Sequence, residues 1–343
     1  MDILPQEISL FLEKALNSKE LKVLPLAGDA SNRRYYRVIR GEESWVLMRW
    51  EPFDPNSYPF LSVLRHFSEH GVHVPKVEGL DSERGLVLLE DLGDLTLERK
   101  FWENQVQENS FLFYQLAVDE LIKIHFIASD SENRNCSAFQ IKFDTDKFLW
   151  EMNYGREHLI ERLLEFRLSG AVQKELQNVF LDICKTLDQE PKRISHRDYH
   201  SRNLMITLDK VRVIDFQDAR LGPIQYDLVS LLRDSYVNIH PQLEKMIIDD
   251  YLAKASSYLE DFSMDQFQLI YKYQIIQRCF KACGSFASFL NMRDDRRYLK
   301  YLPKTLKTVA TALVDFPEYR VFAEVLRDSG ALEKNFSDKE LQV

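Results

Sequence analysis

The sequence predicts an α+β fold of two lobes, in which a small antiparallel β-sheet precedes a larger, mainly helical part. Three observations carry this prediction. Strand-like apolar runs with turn signals dominate roughly the first hundred residues, apolar residues at three- and four-residue spacing dominate the rest, and one short strand pair interrupts the helical part. With 343 residues, of which 45% are apolar, the chain can bury a large core without disulfides.

The first lobe is predicted to contain five strands and two helices. In chain order these are a helix over 6–17, strands over 21–26, 34–40 and 44–50, a helix over 59–70, and strands over 76–80 and 85–89. The second helix is expected to end at residue 70, because Gly71 suits the position after a helix and Pro75 prevents its continuation.

The second lobe is predicted to be helical around one island of strands. The helical segments are 111–128, 146–168, 172–187, 242–259, 264–290 and 297–315. The island covers 194–218, and within it two short apolar runs, 203–207 and 210–214, flank a turn. Strand patterns give way to helical ones near 90–95, which predicts a boundary between a first lobe over 1–93 and a second lobe over 94–343.

Charge and hydropathy exclude some classes of partner. The chain has 45 basic and 54 acidic residues, which gives a net charge of −9. Because nucleic acid binding needs a basic surface, no nucleic acid partner is expected. An uncharged apolar run of membrane-spanning length is missing from the sequence, so no membrane partner is expected. The N-terminus lacks a basic region followed by an apolar one, which predicts a cytoplasmic protein.

The most informative segment fits H-R-D-x-x-x-x-N, the catalytic-loop pattern of kinases, with His196, Asp198 and Asn203 at its fixed positions. After the predicted hairpin, Asp215 begins Asp-Phe-Gln where kinases carry D-F-G. Phosphoryl transfer needs a carboxylate that orients and deprotonates the attacking hydroxyl, the role expected of Asp198. It also needs oxygen ligands for Mg²⁺ on the phosphates of ATP, which Asn203 and Asp215 are expected to supply. His196 is expected to support the loop.

Residues 199–202, 222–228 and 88–93 together resemble the aminoglycoside phosphotransferase family, which has a two-lobed, protein-kinase-like fold. The resemblance implies ATP and Mg²⁺ as cofactors, a nucleotide-binding lobe over 1–93 and a catalytic and substrate-binding lobe over 94–343. It implies that Asp227 supports the catalytic loop, and that the backbone around Glu90 and Leu92 binds adenine.

Segments 28–37, 196–234 and 277–303 are most similar to a branch of that family that phosphorylates amino sugars on the anomeric hydroxyl in bacterial cell-wall recycling. The resemblance implies N-acetylmuramate or N-acetylglucosamine as acceptor, a small-molecule partner. It also implies that the sugar phosphate passes to a nucleotidyltransferase.

The first lobe departs from the kinase pattern in two places. The segment 28–32 replaces a glycine-rich loop, and Ser31, Asn32 and the following Arg33 are expected to hold phosphate oxygens there. Aligning residues 46–49 with V-A-I-K puts Arg49 where kinases carry a phosphate-binding lysine, so Arg49 is also predicted to bind nucleotide.

A small acceptor is favoured over a protein because only eleven residues separate Asp215 from Asp227, too few for a peptide-docking segment. Arg278 and Lys281 share one helix face and are expected to bind the lactyl carboxylate of N-acetylmuramate, unless they form a solvated basic stripe. The other predicted substrate contacts are His200, Arg202 and Asp218, the last of which is alternatively an outer neighbour of the metal.

Two alternatives stay open. The first is a kinase for an aminoglycoside, choline or another amino alcohol on the same fold, which would need an acidic substrate pocket. The second is a non-catalytic pseudokinase, favoured by the missing lysine and glycine-rich loop. Retention of Asp198, Asn203 and Asp215 together argues against the pseudokinase.

Overall fold

The computed structural model describes residues 5–26, 33–104, 106–208, 210–260 and 262–336. The strands are β1 (Lys22–Pro25), β2 (Arg34–Arg40), β3 (Glu43–Arg49), β4 (Val77–Asp81), β5 (Leu86–Glu90), β6 (Arg193–Ser195), β7 (Leu204–Thr207), β8 (Lys210–Val213) and β9 (Arg220–Gly222). The helices are α1 (Gln6–Leu16), α2 (Pro59–Glu69), α3 (Leu97–Glu103), α4 (Phe111–Ile122), α5 (Thr145–Gly155), α6 (Gly170–Asp188), α7 (Gln225–Leu232), α8 (Pro241–Ala255), α9 (Met264–Arg293), α10 (Leu302–Leu313) and α11 (Arg320–Asp328).

The first lobe is an antiparallel sheet in the order β1-β2-β3-β5-β4 with a helix on each face. Side chains of a strand alternate between faces, and β5 follows this rule: Leu86 and Leu88 pack with α1, whereas Val87 and Leu89 belong to the main core beside α2. The helix α2 ends as expected, and Gly71 has a φ of 76° that suits a residue without a Cβ.

The second lobe is built around the long helix α9, which packs against α5, α7 and α10. The axes of α5 and α9 approach closely because glycines meet at the crossing. A Cβ added to Gly284 would lie 2.5 Å from the Cα of Gly155, so only small residues fit there. This close approach brings the middle of α9 beside the catalytic segment.

Between these helices two small hairpin-like ladders carry that catalytic segment. The strand β6 pairs with β9, and β7 pairs with β8, both antiparallel. Asn203, at the end of the loop between β6 and β7, and residues 214–218 after β8 line one cleft together with residues of the first-lobe sheet.

The predicted fold class is confirmed, with differences in detail that include the unpredicted helix α11 and the short strands β6 and β9. The helix α5 continues as a π-helical segment, Arg156–Leu163, and ends before residue 168. Helix α3 was not predicted because it has only seven residues. Helix α7 was not predicted because all its residues are buried, so it has no polar face to produce a periodic signal. The sheet ends at Glu90 and α3 begins at Leu97, whereas a domain boundary at residue 93 stays a prediction.

Across the part of the chain that the structure describes, every helix is too short or too polar to cross a lipid bilayer.

Candidate active site

The catalytic loop is held in shape by Asp227 at the start of α7. Its carboxylate is fully buried and accepts the backbone N–H of His196 at 2.6 Å and that of Arg197 at 2.9 Å. Arg197 has a φ of 83°, a conformation that is costly for a residue with a side chain. Because Asp227 binds both amides, it fixes the turn that carries Asp198, as predicted from the resemblance.

His196 links the loop to the end of β8. Its Nε2 lies 2.9 Å from the carbonyl oxygen of Ile214, and its Nδ1 accepts the N–H of Asp198 at 3.3 Å. The ring is fully buried, and both nitrogens are used within the protein. This placement agrees with a supporting role and leaves the reaction to other groups.

Asp198 lies among three cations. Its Oδ1 is 3.6 Å from the guanidinium of Arg278 and 4.0 Å from the ammonium of Lys281, and its Oδ2 is 3.9 Å from Nε of Arg197. Burial by itself raises the pKa of Asp198, but the charges of Lys281, Arg197 and Arg278 outweigh it and hold the pKa well below its ordinary value. The carboxylate is therefore ionised at neutral pH, which a proton acceptor requires.

Asn203 and Asp215 meet at the entrance to the loop. The side-chain amide of Asn203 donates to the carbonyl of Asp198 at 2.9 Å and lies 3.3 Å from Oδ2 of Asp215. Asp215 has a φ of 64°, so the chain turns sharply and presents its carboxylate to the cleft. One carboxylate and one amide oxygen suit Mg²⁺, which takes few protein ligands and completes its shell with phosphate and water. Among the described residues, no three His, Cys, Asp or Glu side chains cluster as a metal site.

A cleft of about 780 Å³ separates the sheet from the catalytic loop. Apolar side chains on its two sides form a slot suited to a flat ring: Val46, Leu89, Leu92, Met205 and Ile214. The predicted adenine-binding segment borders this slot. The N–H of Glu90 donates to the carbonyl of Lys76, and the carbonyl of Leu92 accepts the hydroxyl of Thr207 at 2.9 Å.

The prediction that Arg49 binds nucleotide is wrong. Its β3 neighbour Leu47 packs with α1, and Arg49 is on that same face because strand residues alternate. Val46 and Met48 are on the cleft face instead, so the V-A-I-K alignment is displaced by one residue. Arg33 does line the cleft, whereas Ser31 and Asn32 lie outside the described residues.

A second cavity, of about 200 Å³, lies on the other side of Asp198. Its lining includes Asp198, His200, Ser230, Arg233, Tyr236, Arg278, Lys281, Phe286 and Phe289. Arg278 is oriented by a hydrogen bond from its Nε to the hydroxyl of Ser230 at 3.0 Å. The predicted contacts His200, Arg278 and Lys281 thus share one pocket with the predicted base, and the basic pair does not form a solvated stripe.

Two other predicted substrate contacts lie elsewhere. Arg202 donates two hydrogen bonds to Glu98, at 2.8 and 3.0 Å, and one to the hydroxyl of Tyr301, and its guanidinium covers the ring of Tyr236. It therefore supports the aromatic wall of the second cavity from behind. Asp218 forms an ion pair with Arg197 at 2.9 Å and lines the cleft beside Asp215, which suits an outer neighbour of a metal better than a sugar contact.

The prediction from sequence missed several groups near Asp198. Arg197 is part of the motif itself, but its contacts with Asp198 and Asp218 depend on a backbone turn at φ 83° that residue spacing does not reveal. Glu151 of α5 is fully buried, accepts a hydrogen bond from Gln277 at 2.9 Å and supplies a negative charge beneath the cations. A buried glutamate in an amphipathic helix has no local signal, so only packing reveals it.

Comparisons with known proteins agree with this geometry. A sequence profile described as "Phosphotransferase enzyme family" matches residues 22–262. The chain is 28% identical over 338 residues to an N-acetylmuramate/N-acetylglucosamine kinase of Neisseria meningitidis serogroup B, covering 95% of this chain and 97% of that one. It is 27% identical over 307 residues to a kinase of the same name from Pseudomonas aeruginosa, covering 89% and 88%.

A solved structure has the same fold. The ADP-bound aminoglycoside phosphotransferase APH(2'')-Ib superposes with a TM-score of 0.60 at 18% identity, over 93% of this chain and 99% of the other. At that identity the likeness extends to the fold alone.

Proposed function

Since the chain belongs to the phosphotransferase enzyme family and is a kinase that phosphorylates a hydroxyl group, we propose that it phosphorylates the anomeric hydroxyl of N-acetylmuramate or N-acetylglucosamine. ATP is the proposed donor and Mg²⁺ the proposed metal. The observation that carries the choice of acceptor is the pair of cations, the buried Arg278 and the partly buried Lys281, in the cavity beside Asp198. Relatives that bear this kinase name align over most of the chain and support the proposal.

The electrostatics of the second cavity favour an acidic or neutral sugar. Arg278 and Lys281 line it beside Asp198, while Arg233 is paired with Glu244 at 2.9 Å and the carboxylate of Asp234 accepts hydrogen bonds from Ser201. A cationic acceptor, such as an aminoglycoside or choline, would be repelled by buried like charges. A lactyl carboxylate would instead gain a charge-assisted hydrogen bond.

Each residue then has a defined part in the reaction. The ionised carboxylate of Asp198 accepts a hydrogen bond from the anomeric hydroxyl, aligns it, and takes its proton as the new O–P bond forms and the bond to ADP breaks. Asn203 and Asp215 would hold Mg²⁺, which when bound neutralises charge on the transferred phosphate. Arg197 and Lys281 keep Asp198 ionised. A sugar 1-phosphate is a substrate for nucleotidyl transfer, so we place the enzyme before a nucleotidyltransferase in cell-wall recycling.

The test is ATP consumption with Mg²⁺ against N-acetylmuramate, N-acetylglucosamine, an aminoglycoside and choline, with phosphorus NMR to locate the new phosphate. An anomeric phosphate on either amino sugar is the expected product. Turnover only on the aminoglycoside or on choline would contradict the proposed acceptor and support the alternative of an amino-alcohol kinase. Nucleotide binding without turnover on any acceptor would contradict the proposed substrates.

Removing the charge of Lys281 is expected to weaken selection for the acidic sugar. In Lys281→Met the KM for N-acetylmuramate should rise about 10- to 100-fold, the usual worth of a hydrogen bond to a charged group. The KM for N-acetylglucosamine, which lacks the carboxylate, should change far less. The matched control is Lys272→Met on the exposed side of the same helix, where the lysine pairs with Asp315. Equal losses for both sugars would contradict a carboxylate contact.

The same lysine should impose a pH dependence on sugar selection. Burial lowers the pKa of Lys281 to about 8, with the neighbouring charge of Asp198 opposing this fall and that of Arg278 adding to it. Lys281 is charged below pH 8 and becomes neutral above it, so the preference for N-acetylmuramate should decline as the pH rises from 7 to 9. The measurement is the ratio of kcat/KM for the two sugars across this range. The ratio should be independent of pH in Lys281→Met, and a flat wild-type ratio would rule out the contact.

A further inference from the structure

The strand that carries a phosphate-binding lysine in kinases has apolar residues on its cleft face in this chain. Val46 and Met48 are on that face. When V-A-I-K is aligned so that its lysine falls on the cleft face of the strand, Met48 takes the position of the lysine. Met48 is fully buried in the core together with Phe60 of α2, whose ring stacks on Phe216 at 5.2 Å. A charged lysine–glutamate pair therefore has no place here, because apolar packing fills the position.

A cation reaches the same cleft from the residue directly before the neighbouring strand. Tyr35 on β2 pairs directly with Met48, and Arg33 is two residues before Tyr35 on the same face. Two strand residues span about 6–7 Å, so the backbone of Arg33 lies one side-chain length from the position opposite Met48. Arg33 and Asp215 line the same cleft.

The side chain of Arg33 lies among aromatic residues and is hydrogen-bonded to the phenol of Tyr35. Its guanidinium lies 5.6 Å from the ring centre of Trp50. Burial raises the pKa of both Tyr35 and Tyr58, and the charge of Arg33 opposes the rise in each, while Asp215 also acts on Tyr35. Arg33 is therefore close to both phenols, and one of these phenols is close to the predicted metal ligand.

A cation on the strand itself has a different role. Arg37 also lines the cleft, but it binds the carboxylates of Asp91 and Asp94, with contacts of 2.6 and 2.8 Å. These two residues belong to the segment that joins the lobes, so the charge of Arg37 is neutralised at the adenine end. It stabilises the connection and does not face the phosphates.

We propose that Arg33 binds the triphosphate of the nucleotide in place of the missing β3 lysine, so that the cation comes from the residue directly before β2. This inference rests on the proposed use of ATP. Arginine suits the position because its planar group donates two parallel hydrogen bonds to phosphate oxygens, and its longer side chain spans the distance from the adjacent strand.

The test compares the binding of ATP and adenosine by titration calorimetry, without any sugar, in the presence of EDTA and again with Mg²⁺. In Arg33→Ala the Kd for ATP should rise about 10- to 100-fold, whereas the Kd for adenosine should stay within about twofold. Arg33→Lys should retain part of the affinity for ATP. The matched control is Arg34→Ala, since Arg34 is exposed on the opposite face of β2 and should leave both values unchanged.

Each outcome separates this inference from the proposed function. Unchanged ATP affinity in Arg33→Ala, or equal losses for ATP and adenosine, would overturn the role of Arg33 and leave the sugar kinase proposal standing. Absence of ATP binding by the wild-type protein would overturn both. Failure to phosphorylate any amino sugar would overturn the proposed acceptor only, because the calorimetry contains no acceptor.

Discussion

Replacing Asp198 by asparagine is expected to lower kcat about 1,000-fold or more while the Kd for ATP stays within about twofold. General base catalysis contributes 10²–10⁴-fold to such reactions, and asparagine keeps the shape of the side chain but cannot take the proton. The catalytic loop should keep its conformation, since Asp227 holds it through the amides of His196 and Arg197. The measurement pairs steady-state rates on the preferred amino sugar with calorimetric ATP binding.

The stability of this variant gives an independent check on the electrostatics. Because the pKa of Asp198 is lowered in the folded protein, its ionised form contributes stability above the unfolded-state pKa, and this contribution is lost as the pH falls through the folded value. Asp198→Asn should therefore have a lower Tm than the wild type at pH 7, with the gap closing toward strongly acidic pH. A variant that retains wild-type turnover would refute Asp198 as the base.

Asp215→Asn is expected to remove the Mg²⁺ dependence of ATP binding, lowering the affinity for ATP in the presence of Mg²⁺ about 100-fold. The loss follows because a carboxylate bound to a metal contributes several kcal/mol, and an amide lacks the charge. Asparagine is the appropriate replacement since Asp215 has a φ of 64°, and among residues with a side chain asparagine tolerates this conformation well. Alanine would add backbone strain to the loss of charge.

The measurement is ATP affinity with Mg²⁺ and with EDTA, in the wild type and in Asp215→Asn. With EDTA the two proteins should bind ATP almost equally, and adenosine affinity should be the same in both. The control is Asp81→Asn in β4, where the aspartate pairs with Arg84 at the lobe surface. A wild-type response to Mg²⁺ in the Asp215 variant would place the metal elsewhere.

Strand register explains why Arg49, which was predicted to bind nucleotide, lies on the face of the sheet away from the cleft. The V-A-I-K alignment chose Arg49 because it is the basic residue at the end of the apolar run, but a shift of one residue moves a side chain to the other face of a sheet. Leu86 and Leu88 of β5, which pack with α1, show which face of the sheet is away from the cleft. Neither fact can be read from the run itself, since all residues of 46–48 are apolar.

Local geometry explains the misplaced substrate contact. Arg202 is close to Asp198 in the chain, which suggested a shared pocket. The loop forms a short helical turn at Ser201–Asn203, and this turn directs Arg202 toward Glu98 while Asn203 faces Asp215. Glu98, more than a hundred positions away in the chain, determines the orientation of Arg202. Residue spacing within the motif cannot predict a contact with so distant a residue.

The sequence by itself determined the fold class and the chemistry. The predicted catalytic and metal-binding residues Asp198, Asn203 and Asp215 are recognisable because a loop and a hairpin of set length join them, so their spatial relation follows from their spacing. Only the tertiary structure decided between a pocket and a solvated stripe for the two basic residues predicted to contact the substrate. Arg278 and Lys281 reach Asp198 from a helix about 80 residues further along the chain. That helix comes close through the glycine contact between α5 and α9, and packing of this kind depends on the shapes of distant surfaces.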